Sequence, residues 1–298
     1  MANSYADDFL TCVMKRTDSD VMLRIGSVLL LMFGVPILMF VMIFTLVPME
    51  ETGVEVLEYL LEIFAPGLIL FSAILEAFIT YMMINAYYMH HVRDIVWMRA
   101  LAGYASSYGK DVSELESINS TFSSNKSETI RKVAIVYFLF VLLSHTAMAI
   151  MISTETIDGQ LATDVSYATS LVMLLETCLG SAYVFACIRK DDNLQCDFTS
   201  KWATLMANEM PEAEAMVTRI QLRRLWPHLI LMLVTAGIYS LFFSLWTIHT
   251  VNLHISRQNT YEEYVIRWIM DKEGAKGIQG IVDDRVPNFL ERIIAMFT

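Results

Sequence analysis

The sequence predicts an all-α, polytopic integral membrane protein: four firm transmembrane helices, a fifth crossing or re-entrant segment, and a weak parallel internal repeat. Composition is the first observation behind this. The 298 residues are 55% apolar and only 18% charged, with a mean hydropathy of +0.48, above the roughly 45–50% apolar content of a soluble chain. The second is clustering, because the apolar excess gathers in residues 21–47, 64–89, 133–153, 165–188 and 225–251. Each run is about 20 residues or more, enough to span a hydrocarbon core of ~30 Å at 1.5 Å per residue. The third is the distribution of the 21 Lys and Arg residues, which avoid some connections and crowd others.

The first run reads as a retained span and not a cleaved leader. It is too long for a signal core, its flank mixes Asp7, Asp8, Lys15 and Arg16, and no small-residue cleavage site follows. Gly34 and Pro36 are expected to kink it. Residues 48–63 and 154–164 contain no Lys or Arg, whereas 90–132 and 189–224 carry basic pairs at Arg131-Lys132 and Arg223-Arg224. The positive-inside rule then puts residues 1–20 and both long connections in the cytoplasm and the two acidic loops outside. The expected location is the cell membrane, with the N-terminus cytoplasmic. Residues 21–251 form the membrane domain, and 252–298 an amphipathic C-terminal tail.

Two readings of the fifth run stand. It crosses, leaving a basic tail outside, or it enters, breaks at Thr235-Ala236-Gly237 and returns, with Thr235 and Gly237 as the break. A returning backbone must be shielded by protein.

The repeat has an offset near 100: Ile74-Leu75-Glu76 recurs as Leu174-Leu175-Glu176, and Asp94 and Ala100 match Asp197 and Ala203. The connection after the second run begins as helix, since Val92, Ile95, Val96, Arg99 and Gly103 keep a 3.6-residue rhythm. Residues 110–127 are rich in Ser and Asn and read as a loop. Pro211 reads as the first turn of a new helix. Tyr87, Tyr88, Trp97, Trp226 and Trp246 suit aromatic belts.

The stretch Leu233-Val234-Thr235-Ala236-Gly237-Ile238-Tyr239-Ser240-Leu241-Phe242-Phe243 resembles the Thr-Leu-Gly-Ile-Tyr-type core of small archaeal and bacterial multi-pass membrane proteins of unknown function. Asn252-Leu253-His254 with Gln258 resembles the Asn-x-His-x-x-x-Gln run that trails it. Ala236 and Phe242-Phe243 depart from that pattern. The resemblance covers roughly 30 residues and implies a prokaryotic membrane module with no established activity.

The candidate site is intramembrane. Glu76 and Glu176 lie near the midpoints of their runs, and His145 is the only histidine deep in one. A charge at bilayer centre costs about 2.5–3.5 kcal/mol, so such acids face protein or water. They line a proton or cation site, or each cements a helix pair through one hydrogen bond. His90 and Asp94, at i,i+4, make a two-ligand metal candidate without a third partner, so solvated interfacial residues explain them as well.

Four cysteines show no metal spacing, and no cofactor fingerprint or catalytic motif is found. The chain therefore predicts no cofactor and no enzyme. A net charge of −11 excludes nucleic acid as a partner. The expected partners are the lipid bilayer and a second copy or another membrane protein. The expected function is a non-enzymatic subunit or scaffold of a membrane assembly, with a small transporter or channel using Glu76 and Glu176 as the alternative.

Overall fold

A computed structural model describes residues 53–123, 127–154, 159–213, 224–235 and 238–273, with scattered positions among 8–41. Among the described residues the chain is helical and contains no strand. In chain order the helices are α1 (Ile25–Leu29), α2 (Gly53–Ser107), α3 (Ser113–Ser123), α4 (Ser127–Thr154), α5 (Gly159–Leu205), α6 (Trp226–Val234) and α7 (Ile238–Glu273).

No helix among the described residues is long and apolar enough to cross a membrane. This overturns the polytopic architecture of four spans plus a fifth segment, and with it the multi-pass cell-membrane location and the cytoplasmic N-terminus. The physical reason lies in how the apolar runs are used. Of residues 21–47, the described continuous helix is only α1. The described end of 64–89 is packing surface: Ala77 joins Val141, while Met83, Ile84 and Tyr87 join Ile130, Val184 and Ile188. Residues 225–251 split into α6, nine residues or about 13 Å long, and the start of α7. Two residues of the expected aromatic belts are core instead: Tyr87 and Trp97 are 2% and 3% exposed.

α2 organises the molecule. Its end is set by Gly109, at φ 72. The Gly109 amide donates to Ser106 O (2.9 Å) and the Lys110 amide reaches back to Ala105 O (3.3 Å), the paired bonds of a Schellman motif. α4 packs antiparallel on α2: the Tyr81 and Phe138 ring centroids lie 6.1 Å apart, and Val141 clusters with Ala77 about one turn earlier on α2. α5 runs parallel to α2 near an offset of 100, with Asp191 beside His91 and Trp202 Nε1 donating to Leu101 O at 2.8 Å. α7 also runs parallel, since His90 meets Gln258 and Arg93 meets Glu262.

Within the 110–127 stretch, Ser113–Ser123 is helix where a loop was expected, and residues 124–126 lie outside the described residues. The Asp111 carboxylate accepts the Ser113 amide at 3.0 Å, a cap that starts α3. Leu115 and Phe122, a heptad apart, are buried on its inner face. Ser113, Ser117 and Ser120 are exposed on its outer surface, whereas Asn119 turns inward and donates to Ile95 O (3.4 Å). Residues 211–213 are a turn, and the remainder of the expected Pro211 helix lies outside the described residues.

α6 and α7 form a tight helical hairpin. Pro227 begins α6, where a missing amide costs nothing. At its end the Thr235 hydroxyl donates to Leu231 O (2.7 Å) and accepts from the Tyr239 amide (3.0 Å), so one side chain serves both helix ends. Gly237 lies outside the described residues.

Candidate metal centre

Three stripes of polar residues meet where α2, α5 and α7 run side by side. On α2 they are Tyr87, His90, His91 and Asp94; on α5 Asp191, Asp192 and Gln195; on α7 His254, Gln258 and Glu262. Spacings of three and four residues keep each stripe on one helix face. Parallel packing then brings the three faces together. Asp20 completes the cluster from the N-terminal segment, which is held on α7 at two further points. Arg16 Nη2 donates to Asn259 O (2.7 Å), and Asn252 brackets the backbone of Leu23, accepting its amide (3.1 Å) and donating to its carbonyl (2.7 Å).

Arg93 is the anchor. It is 2% exposed and donates to Asp20 Oδ2 at 2.6 Å and Glu262 Oε1 at 2.7 Å. Among the described residues the cluster holds five buried carboxyls (Asp20, Asp94, Asp191, Asp192 and Glu262) and one buried guanidinium, Arg93, which pairs with Asp20 and Glu262 and lies 3.6 Å from Asp94. Burial of unpaired charge is costly enough that such groups neutralise or acquire counter-ions. Burial accordingly pushes the Asp94 carboxyl well above the usual carboxylate range and raises Glu262. Burial also acts to raise Asp20, but the neighbouring His90 and Arg93 outweigh it and hold Asp20 at about 2. Burial lowers His90 to about 4. His90 is thus neutral near pH 7, and the full charge holding Asp20 ionised there comes from Arg93.

The hydrogen bonds orient His90. Its Nδ1 lies 2.9 Å from Asp20 Oδ1, so the neutral ring gives its proton to that carboxylate and presents a lone pair at Nε2. Facing Nε2 are Gln258 Oε1 at 2.9 Å and Asp94 Oδ2 at 3.3 Å. The Gln258 amide is fixed in this sense because its Nε2 donates to Asp94 Oδ1 and to Glu262 Oε1 (2.8 Å). Gln195 Nε2 donates to Asp94 Oδ2 and to Gln258 Oε1 (2.8 Å). A ring nitrogen, a carbonyl oxygen and the Asp94 carboxyl, which burial holds toward its protonated form, therefore converge, and loss of the Asp94 proton makes all three acceptors.

His254 stands against this group, its ring 5.3 Å from that of His90 and nearly perpendicular. One ligand atom each from His90, Asp94 and His254 lie within 4.8 Å of one another. His254 Nδ1 is 3.2 Å from Asp192 Oδ1, so both histidines of the group have a carboxylate behind one ring nitrogen. A cavity of about 60 Å³ adjoins the cluster at His254 and Gln258. Beside it, Asp191 accepts from the Tyr87 hydroxyl and pairs with His91 Nδ1 at 2.8 Å, while the His91 ring stacks on Phe122.

The sequence-derived candidates fare differently. His90 and Asp94 are not solvated residues at an interface; each is 1% exposed. The third candidate ligand that their spacing lacked is His254, 160 residues beyond Asp94 and brought near only where α7 docks. His145 is buried in α4 with Nδ1 2.9 Å from Val141 O. Glu76 and Glu176 fall within α2 and α5, but their side chains lie outside the described residues. Sequence reasoning also missed Asp20, Asp191, Asp192 and Glu262. For Asp191, Asp192 and Glu262 the signal was the recurrence of polar residues every three or four positions along the inner faces of α5 and α7; Asp20, on the N-terminal segment, had none.

Compared with known proteins, the chain matches no family model, no curated protein and no solved structure. The fold and the site thus define its class on their own terms: an all-α protein with a buried histidine–carboxylate centre at the junction of three parallel helices.

Proposed function

We propose that this protein binds one divalent transition-metal ion through His90, Asp94 and His254. Two imidazoles and one carboxylate are a donor set that suits zinc and iron(II), and three protein ligands leave coordination positions free. The observation that carries the reading is the convergence of acceptors on His90 Nε2. With its proton committed to Asp20, this lone pair faces Asp94 Oδ2 across 3.3 Å and Gln258 Oε1 across 2.9 Å. Two ligands of a tetrahedral ion at about 2.0–2.1 Å stand about 3.3–3.4 Å apart. A cation there satisfies all three acceptors and offsets the surplus of buried carboxyls. Asp20 and Asp192 supply the outer carboxylates that commonly orient ligating histidines.

Metal titration of the purified full chain, followed by calorimetry and metal analysis, tests this reading. One equivalent of Zn²⁺ or Co²⁺ is expected to bind. Asp94→Asn and His254→Ala abolish tight binding, while Asp20→Asn weakens it about 10–100-fold. Both Asp94 oxygens accept from glutamine amides, so Asp94→Asn sets one amide donor against another. The metal-free melting temperature of each variant is therefore measured beside its binding, and lost binding counts only in a variant that still melts cooperatively. Absence of stoichiometric binding, or binding indifferent to all three substitutions, defeats the proposal.

A further inference from the structure

The Gln195 amide lies against the place a cation would take. A glutamine amide nitrogen carries two hydrogens, and Gln195 Nε2 gives them to Asp94 Oδ2 and to Gln258 Oε1 (2.8 Å). These are the two oxygens that face His90 Nε2, at 3.3 and 2.9 Å. The cavity at the edge of the centre supplies a second observation. Its lining includes Gln195, Gln258 and His254, but neither His90 nor Asp94. The two glutamine amides therefore stand between the cavity and the His90–Asp94 pair. Gln258 is pinned there, because its nitrogen is committed to Asp94 Oδ1 and to Glu262 Oε1 (2.8 Å). Gln195 is the one with room to turn: it is half-buried on the cavity wall, at the end of a rotamer-rich side chain.

Resting on the proposed metal centre, we infer that the Gln195 amide is a placeholder for the cation: it fills the site in the metal-free protein and turns aside into the cavity when the ion binds. The argument is one of competition. Two N–H groups put partial positive charge on oxygens to which a divalent ion brings full charge. Without metal, the amide keeps these buried oxygens from being left unsatisfied, a state that costs more than the hydrogen bond itself contributes. An ion held by His90 and Asp94 is joined by His254 from the cavity side, the side on which Gln195 stands. Binding there surrenders the Gln195 hydrogen bonds, and their loss weakens the observed affinity. Gln195 thus tunes a site that it does not ligate and separates the His90–Asp94 pair from the cavity. The sign of its effect sets it apart from an outer residue that orients a ligand. Removing an orienting partner weakens metal binding about 10–100-fold, whereas removing a group that favours only the metal-free state strengthens it.

Titration of the full chain with Co²⁺ tests this. Gln195→Met, close in size but without a donor, is expected to lower the Kd about tenfold, equivalent to roughly 1.4 kcal/mol. By linkage the metal-free melting temperature falls, while that of the Co²⁺-saturated protein stays at the wild-type value. Gln195→Ala carries the same signs and decides the matter where Gln195→Met does not melt cooperatively. A crystal structure of the wild-type chain loaded with Zn²⁺ is expected to show the Gln195 amide out of hydrogen-bonding contact with Asp94. Weaker or unchanged Co²⁺ affinity in the folded variants overturns the inference and leaves the metal centre standing. So does a Zn²⁺-loaded structure in which Gln195 still donates to Asp94. If the wild-type chain takes up no stoichiometric Co²⁺, the metal centre itself fails and takes this inference with it.

Discussion

The same helices build two unlike regions. Where α2, α4 and α5 meet, the interior is closed by small and aromatic residues: Ala77 against Val141, and Gly180 under Thr80 and Tyr137. The exterior there is also apolar. Val136, Leu143 and Leu179 are 65%, 67% and 62% exposed, and Leu233 at the tip of α6 is 79% exposed. Where α2, α5 and α7 meet, the interior holds Arg93, three histidines and five carboxyls. One region puts apolar side chains outside, and the other puts ionisable groups inside. Composition alone sees only the sum, which explains why hydropathy suggested a different architecture.

Energetically the polar region has the larger stakes. Arg93→Met strips Asp20 and Glu262 of a shared buried partner, and removing one side of a buried pair costs about 3–5 kcal/mol. A fall of that size in denaturant-derived stability is the largest effect expected in the molecule. Arg267→Met serves as the contrast. Arg267 is 79% exposed and only 4.0 Å from Glu263, a geometry in which exposed ion pairs contribute little. Equal tolerance of both substitutions would mean that the buried acids hold protons regardless of Arg93, and that the polar region is no more demanding than the surface.

The apolar region fails by steric means. A Cβ at Gly180 would sit 2.7 Å from Thr80 Cγ2 and 3.0 Å from Tyr137 Cζ. Gly180→Val therefore forces α4 or α2 outward, with an expected loss of about 1–3 kcal/mol for overpacking. Gly26→Ala, where nothing lies within 4 Å, is expected to cost nothing. Should Gly180→Val prove neutral by thermal melt, the three helices are not in close contact at that level.

Helicity was legible because it is local. The 3.6-residue rhythm of Val92, Ile95, Val96 and Arg99 lies wholly within α2. The start of α3 was also local, in Asp111 two residues before Ser113, but Ser/Asn composition masked it. His90 and Asp94 were found together because i,i+4 places them on one face. His254 was not joined to them, since nothing in a single sequence says that α7 runs parallel to α2. Asp191 and Asp192 lie in the 189–224 connection, which was expected to be cytoplasmic because of its basic residues, and were not singled out. The structure divides that stretch by helix face: the two aspartates are buried, and Arg189 and Lys190 beside them are exposed. Charge content is readable from sequence, but the direction a charge faces depends on the partner helix.

The outward face of α4 offers the finest test of the comparison. Leu143 and Val141 are two residues apart on one helix, yet Leu143 is 67% exposed and Val141 fully buried. If the exterior of this region contributes nothing to its folding, Leu143→Gln changes stability by no more than about 0.5 kcal/mol, as surface substitutions do. Val141→Gln, by contrast, buries an amide beside Ala77 with no partner supplied for it, a change that costs about 1–3 kcal/mol. Urea midpoints for the two variants measure the difference directly. A loss above about 1 kcal/mol for Leu143→Gln would contradict an uncovered face, because a residue two-thirds exposed has too little buried area to account for it at about 25 cal/mol per Å². The apolar exterior would then be a contact surface, and the two regions would differ in what covers them as well as in what they contain.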